Sequence, residues 1–107
     1  MSLELIKVRT SDGVRLDGSW LKPASPGKSQ FPVDVMILHH GVAGNFYSAS
    51  PFEDWGPWLA DSGCAVIRVN NRGHDPVSQA TVNGERVKLG AAYETIDSSR
   101  ADWNAWI

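Results

Sequence analysis

Two short stretches of this sequence hold the residues best suited to chemistry. His39-His40-Gly41-Val42-Ala43-Gly44 follows one apolar run, and Asn70-Asn71-Arg72-Gly73-His74-Asp75 follows another. The three histidines suggest a metal site first, because His40 and His74 close consecutive apolar runs and could share one edge of a sheet. Their spacing fits no compact zinc pattern, and Asp75 is the one acid nearby, so no metal is expected. The histidines read instead as loop residues hydrogen-bonded to backbone. A nucleotide-phosphate loop at 41–44 is the next candidate. Gly-x-Gly-x-x-Gly and Gly-Lys-Ser/Thr are both absent, and Asn70 and Asn71 stand where an acid would hold a ribose. No organic cofactor is expected.

Nucleophiles are no better placed. Ser48 and Ser50 lie outside any Gly-x-Ser-x-Gly, and Ser50 in Ser50-Pro51-Phe52-Glu53 is better explained as a helix cap. Cys64 opens an apolar run with no base beside it to activate the thiol, so it is expected in the core. Arg72 could bind an anionic substrate or pair with a carboxylate and hold its own loop.

The surrounding elements must position these stretches. Residues 3–9 and 14–21 alternate with period two across the Ser11-Asp12-Gly13 turn, predicting an antiparallel hairpin with one face to water. The run 33–38 is almost unbroken apolar, as in a strand covered on both faces. A helix is predicted over 51–61, kinked or split at Pro57, with Gly63 at its C-terminal cap. A second buried strand follows over 64–69. Residues 74–90 read as polar and irregular, with a tight turn at Asn83-Gly84. From Ala91 the steps between Ala92, Ile96, Ser99, Trp103 and Trp106 predict one face of a helix that is still running at Ile107. Tyr93, Trp103 and Trp106 read as core. Strand, helix, strand implies a right-handed parallel crossover.

In this order the residues resemble the α/β-hydrolase family. The likeness is carried by Met36-Ile37-Leu38-His39-His40-Gly41, by Val66-Ile67-Arg68-Val69-Asn70-Asn71-Arg72-Gly73-His74, and by Leu89-Gly90-Ala91-Ala92-Tyr93-Glu94 leading into Asp102-Trp103. The resemblance implies an α/β fold: the N-terminal part of an α/β-hydrolase sheet, with an antiparallel hairpin, then two parallel strands with flanking helices, incomplete. Residues 1–107 would be the N-terminal portion of a single such domain. It also implies half an oxyanion hole. Acyl transfer places negative charge on a carbonyl oxygen, and each preorganised backbone N–H contributes roughly 3 kcal/mol to that transition state. By the resemblance the donor is the Val42 N–H, with His40 and Gly41 setting the loop geometry. Gly41 is expected where a side chain would clash. Asn70 departs from the Asp often found two residues before the family's arginine, which leaves the local ion pairs open.

The family's order places the nucleophile on a strand after the last helix, with the acid and base later still. No triad member can therefore be assigned here, and the chain alone is expected to be inactive. The substrate of the full-length parent would be a small-molecule ester or amide. The strand ending at His39-His40 would present an exposed sheet edge, through which self-association is expected. The alternative is a complete small α/β binding module without catalysis.

The bulk properties agree with either reading. The chain has 107 residues, 42% of them hydrophobic and 21% charged, with a formal net charge of −2. Basic residues are scattered, which argues against nucleic acid as a partner. No apolar run reaches membrane-spanning length and no signal-peptide pattern opens the chain, so a cytoplasmic location and no membrane association are expected. A single cysteine excludes an internal disulfide. Five tryptophans call for more apolar surface than so small a domain supplies.

Overall fold

A computed structural model describes residues 3–23, 29–41, 44–47 and 51–107, with 51–53 described as backbone. The order is β1 (Leu3–Arg9), β2 (Arg15–Leu21), β3 (Val35–His39), α1 (Pro51–Asp61), β4 (Ala65–Val69), β5 (Ser78–Val82), β6 (Glu85–Leu89), a 3-10 turn (Ile96–Ser98) and α2 (Ser99–Trp106). The main sheet runs β1-β2-β4-β3. The β1–β2 hairpin is antiparallel, β2 pairs antiparallel with β4, and β3 lies parallel to β4 with Met36 opposite Val66 and His39 opposite Val69. The chain is thus a small α/β domain built on a mixed sheet.

Period-two alternation divides the strands between two cores. On one face Leu21 and Val66 pack under α1 against Leu59, Ala60 and Cys64. On the other, Val14, Leu16 and Val69 pack against Trp106 of α2, with Ala80, Val82 and Leu89 of the second hairpin beside them. Each fully buried Leu or Val contributes about 1.5–3 kcal/mol relative to exposure. Cys64 is a core residue, as its surroundings predicted, with its sulfur 3.0 Å from the Ser29 hydroxyl.

Helix α1 keeps its predicted bounds and is not split at Pro57. It ends in a Schellman motif: the Gly63 N–H donates to Ala60 O and the Cys64 N–H to Leu59 O. That motif needs a left-handed residue, and Gly63 sits at φ +95°. β3 departs from the expectation of cover on both faces: none of its residues is fully buried, and Val35 is half exposed.

Two expectations fail. Residues 74–90 are not irregular: β5 and β6 form a two-stranded antiparallel sheet across Asn83-Gly84. Both turn residues have positive φ, 49° and 86°, as a two-residue primed turn requires. The flanking strands are polar and half exposed, so an apolar alternation was not there to mark them. The last helix is also shorter than the spacing predicted. Residues 91–95 are non-helical, Ile96 is 92% exposed, and α2 begins at Ser99. The N–H groups of Gly90, Ala91 and Ala92 are spent on the carbonyls of Arg72, Asp75 and Pro76, and that pairing holds the segment against the 72–76 loop instead of in a helix. The buried residues of α2 are Asp102 and Trp106. Tyr93 is exposed and Trp103 only partly covered, so neither is the core residue expected of it. Among the described residues no helix is long and apolar enough to cross a membrane.

Candidate functional site

The two chemistry-bearing loops leave the carboxyl ends of the parallel pair β3 and β4, and they bind each other there. The Asn71 N–H donates to His40 Nε2 at 3.2 Å. The Asp75 N–H donates to Gly44 O at 2.8 Å. The Phe46 N–H donates to Asn70 Oδ1 at 2.8 Å. Because His40 Nε2 accepts, the ring proton sits on Nδ1, which donates to Gly41 O at 2.6 Å. Both nitrogens of His40 are engaged, so it ties the β3 loop to the β4 loop.

Gly41 does not have the tight surroundings expected. A Cβ there would meet no described residue within 4 Å. The crowded glycine is Gly44, where a Cβ would lie 2.9 Å from His40 Cβ and 3.3 Å from Gly41 O. The Gly44 N–H closes the loop onto Gly41 O at 3.0 Å. Val42, the expected oxyanion donor, lies outside the described residues, as do Ser48 and Ser50.

His39 is half-buried, stacked between the rings of Trp103 (4.4 Å) and His40 (4.9 Å). Burial first, and the neighbouring His40 second, lower its pKa below 6.5. Its Nδ1 lies 2.8 Å from His40 O. Of the two loop histidines, His40 bonds to backbone as expected, and His39, within β3, does so too. His74 instead meets a carboxylate, with its Nδ1 2.9 Å from Asp75 Oδ2. Asp75 is also held by Asn45 Nδ2 at 2.8 Å and by the Tyr47 hydroxyl. Burial works to raise the Asp75 pKa, but the hydrogen bonds from Tyr47, His74 and Asn45 outweigh it and lower it. Partial burial and the Asp75 carboxylate push the Tyr47 phenol up to about 12. Among the described residues no group of three His, Cys, Asp or Glu side chains could hold a metal ion.

Arg72 has the carboxylate partners that its position called for, and there are two. Its Nε donates to Asp102 Oδ1 at 2.9 Å and its backbone N–H to Asp102 Oδ2 at 2.9 Å. Nη1 and Nη2 donate to the two oxygens of Asp12 at 2.7 and 2.8 Å. The Asn70 that left this network open does not break it, because the carboxylates come from the β1–β2 turn and from α2. Neither acid was singled out from sequence. Asp102 did carry a signal: it lies four residues before Trp106, on the same helical face.

No protein-family model matches the chain, and no curated protein matches it.

Proposed function

We propose that this chain forms the N-terminal part of a serine-type α/β-hydrolase and supplies one side of its oxyanion hole. The observation that carries the reading is the place of β3. It leads directly into His39-His40-Gly41, and it is the edge strand of the order β1-β2-β4-β3. In the family resembled, the strand that delivers the nucleophile lies beside the one that ends in this loop, and here that side of β3 has no neighbour among the described residues. His40 and Gly44 are each bonded to the β4 loop, through the Asn71 and Asp75 N–H groups, which supports the reading because an oxyanion donor must be preorganised.

The substrate class is an ester, amide or similar acyl compound. The nucleophile, acid and base are assigned to no residue of this chain. The test is to express the whole reading frame that contains these 107 residues and to assay hydrolysis of an activated aryl ester. A Gly-x-Ser-x-Gly segment is expected downstream, labelled by a fluorophosphonate. Val42→Pro, which removes the N–H, is expected to lower kcat by about a hundredfold. A frame with no such elbow, or a Val42→Pro enzyme of unchanged turnover, overturns the reading.

A further inference from the structure

Asn83 and Gly84 turn the chain between β5 and β6, and both are exposed. The pair suits such a turn because both positions need positive φ, and both have it. The same pair also sets an amide side chain beside a backbone nitrogen that no following side chain shields. A Cβ at Gly84 would meet no described residue within 4 Å. The Gly84 N–H donates to no backbone carbonyl among the described residues. That nitrogen is therefore uncovered, and glycine gives its peptide the freedom to rotate toward the Asn83 side chain.

The electrophile is prepared by a residue 74 positions away. Arg9 Nη2 donates to Asn83 Oδ1 at 2.9 Å. A guanidinium there draws electron density from Cγ and faces the charge that develops on the oxygen when a nucleophile adds. Gly13 lets the amide lie close to the β1–β2 turn, since a Cβ at Gly13 would overlap it. No other asparagine combines these features. Asn45, Asn70 and Asn71 are buried. Asn104 is exposed, but it lies inside α2 and precedes Ala105.

We propose that Asn83 is a site of spontaneous deamidation, activated by Arg9 and converted mainly to an isoaspartyl residue. A solvent base takes the Gly84 N–H proton as the nitrogen adds to Asn83 Cγ. The Cγ–Nδ2 bond then breaks, and ammonia leaves with a proton supplied by water. The product is a cyclic imide, which a second water opens. Cleavage between Gly84 N and the Asn83 backbone carbonyl carbon leaves Gly84 joined through the former side chain, as an isoaspartyl link. Cleavage at Cγ leaves an aspartyl residue. The proposal does not depend on the hydrolase reading, since it concerns the hairpin tip and not the loop after β3.

The reaction strikes where the second hairpin meets the first. The Asn83 N–H donates to Gly13 O at 3.0 Å, and Val14 bridges to Val82 beside it. An isoaspartyl link lengthens the main chain inside a two-residue turn whose ends, Val82 and Glu85, are paired. Deamidation therefore loosens the second hairpin as the protein ages.

The experiment ages the folded chain in mildly alkaline buffer made with heavy-oxygen water. Peptides are mapped by mass spectrometry, and isoaspartate is scored by enzymatic methylation. Label is expected at residue 83 at least about tenfold faster than at Asn104. The aged fraction is expected to show shifted amide signals at Gly13, Val14 and Val82. Arg9→Gln changes an exposed side chain and is expected to slow labelling about threefold or more in the folded chain. In urea, where the Arg9 contact is absent, the variant is expected to match the original. Label at residue 83 no faster than at Asn104 would show that the folded turn withholds the side chain, and overturns the proposal. So does an Arg9→Gln chain that is labelled as fast as the original when folded, or is slowed equally in urea.

Discussion

Arg72 and Asp102 are joined three times over: the Asp102 carboxylate accepts from the Arg72 backbone N–H and lies 2.9 Å from both Nε and Nη2 of its guanidinium. Asp102 is 1% exposed. The pair fastens α2 to the loop after β4. One turn along the same helix, Trp106 donates its Nε1–H to Asn70 O at 2.9 Å. Gly18 of β2 makes room for that ring, since a Cβ there would come within 2.9 Å of it and 2.7 Å of Arg68 O. The loop carrying His74 and Asp75 is therefore held from the α2 side as well as from the β3 loop.

Removing Asp102 leaves a nearly buried guanidinium with half its partners gone. Asp102→Ala is expected to cost about 3 kcal/mol or more. Asp12 binds the same guanidinium, but its side chain is 50% exposed, so solvent screens it and Asp12→Asn is expected to cost below about 1 kcal/mol. Urea denaturation of the two variants checks the order. Equal losses would show that burial does not rank these two contacts.

Acid should weaken the fold through Asp12. Its pKa falls from 3.8 to about 2 in the folded chain, chiefly through the Arg72 hydrogen bond and against the opposing effect of burial. A carboxyl lowered in this way binds fewer protons folded than unfolded, so its stabilisation is present above the unfolded pKa. It is lost as pH falls through the folded one. Stability is expected to decline between about pH 4 and pH 2, with part of the decline missing in Asp12→Asn. Denaturation midpoints across that range measure it, and an identical pH profile in the variant would remove Asp12 as the cause.

The glycines of the β3 loop should respond in opposite ways. Gly41→Ala places a methyl where no described residue lies within 4 Å and is expected to change stability by less than about 0.5 kcal/mol. Gly44→Ala drives a methyl against His40 Cβ and Gly41 O, and is expected to cost about 1–3 kcal/mol as the loop shifts. Thermal melts compare them. If an active hydrolase containing this chain loses turnover in Gly41→Ala at unchanged stability, then Gly41 is kept open for a substrate and not for the chain itself.

The outer edge of β3 should drive self-association. Its backbone groups have no strand partner among the described residues on the side away from β4, and Val35 at its start is half exposed. A lysine at such an edge opposes pairing with another chain. Sedimentation velocity over a concentration series is expected to show association that Val35→Lys reduces. Association unchanged in that variant would place the contact elsewhere, with exposed Trp55 and Trp58 of α1 the next surface to alter.

Local pattern determined much of this protein. Alternation at 3–9 and 15–21 wrote the hairpin, Pro51 and Gly63 bounded α1, and the apolar runs wrote β3 and β4, because each of these signals is complete within a few neighbouring residues. The resemblance pointed to Arg72 as a loop anchor. Its partners could not be read, since Asp12 lies 60 residues before it and Asp102 30 residues after; the place of Asp102 one turn before Trp106 marks an inward position but not the arginine it meets. The β5–β6 hairpin was hidden because its strands are polar, leaving only Asn83-Gly84 to announce it. The helical spacing from Ala92 misled for the opposite reason: the pattern was present, but residues 90–92 are held against the 72–76 loop by their N–H groups, and the α-helix begins only at Ser99.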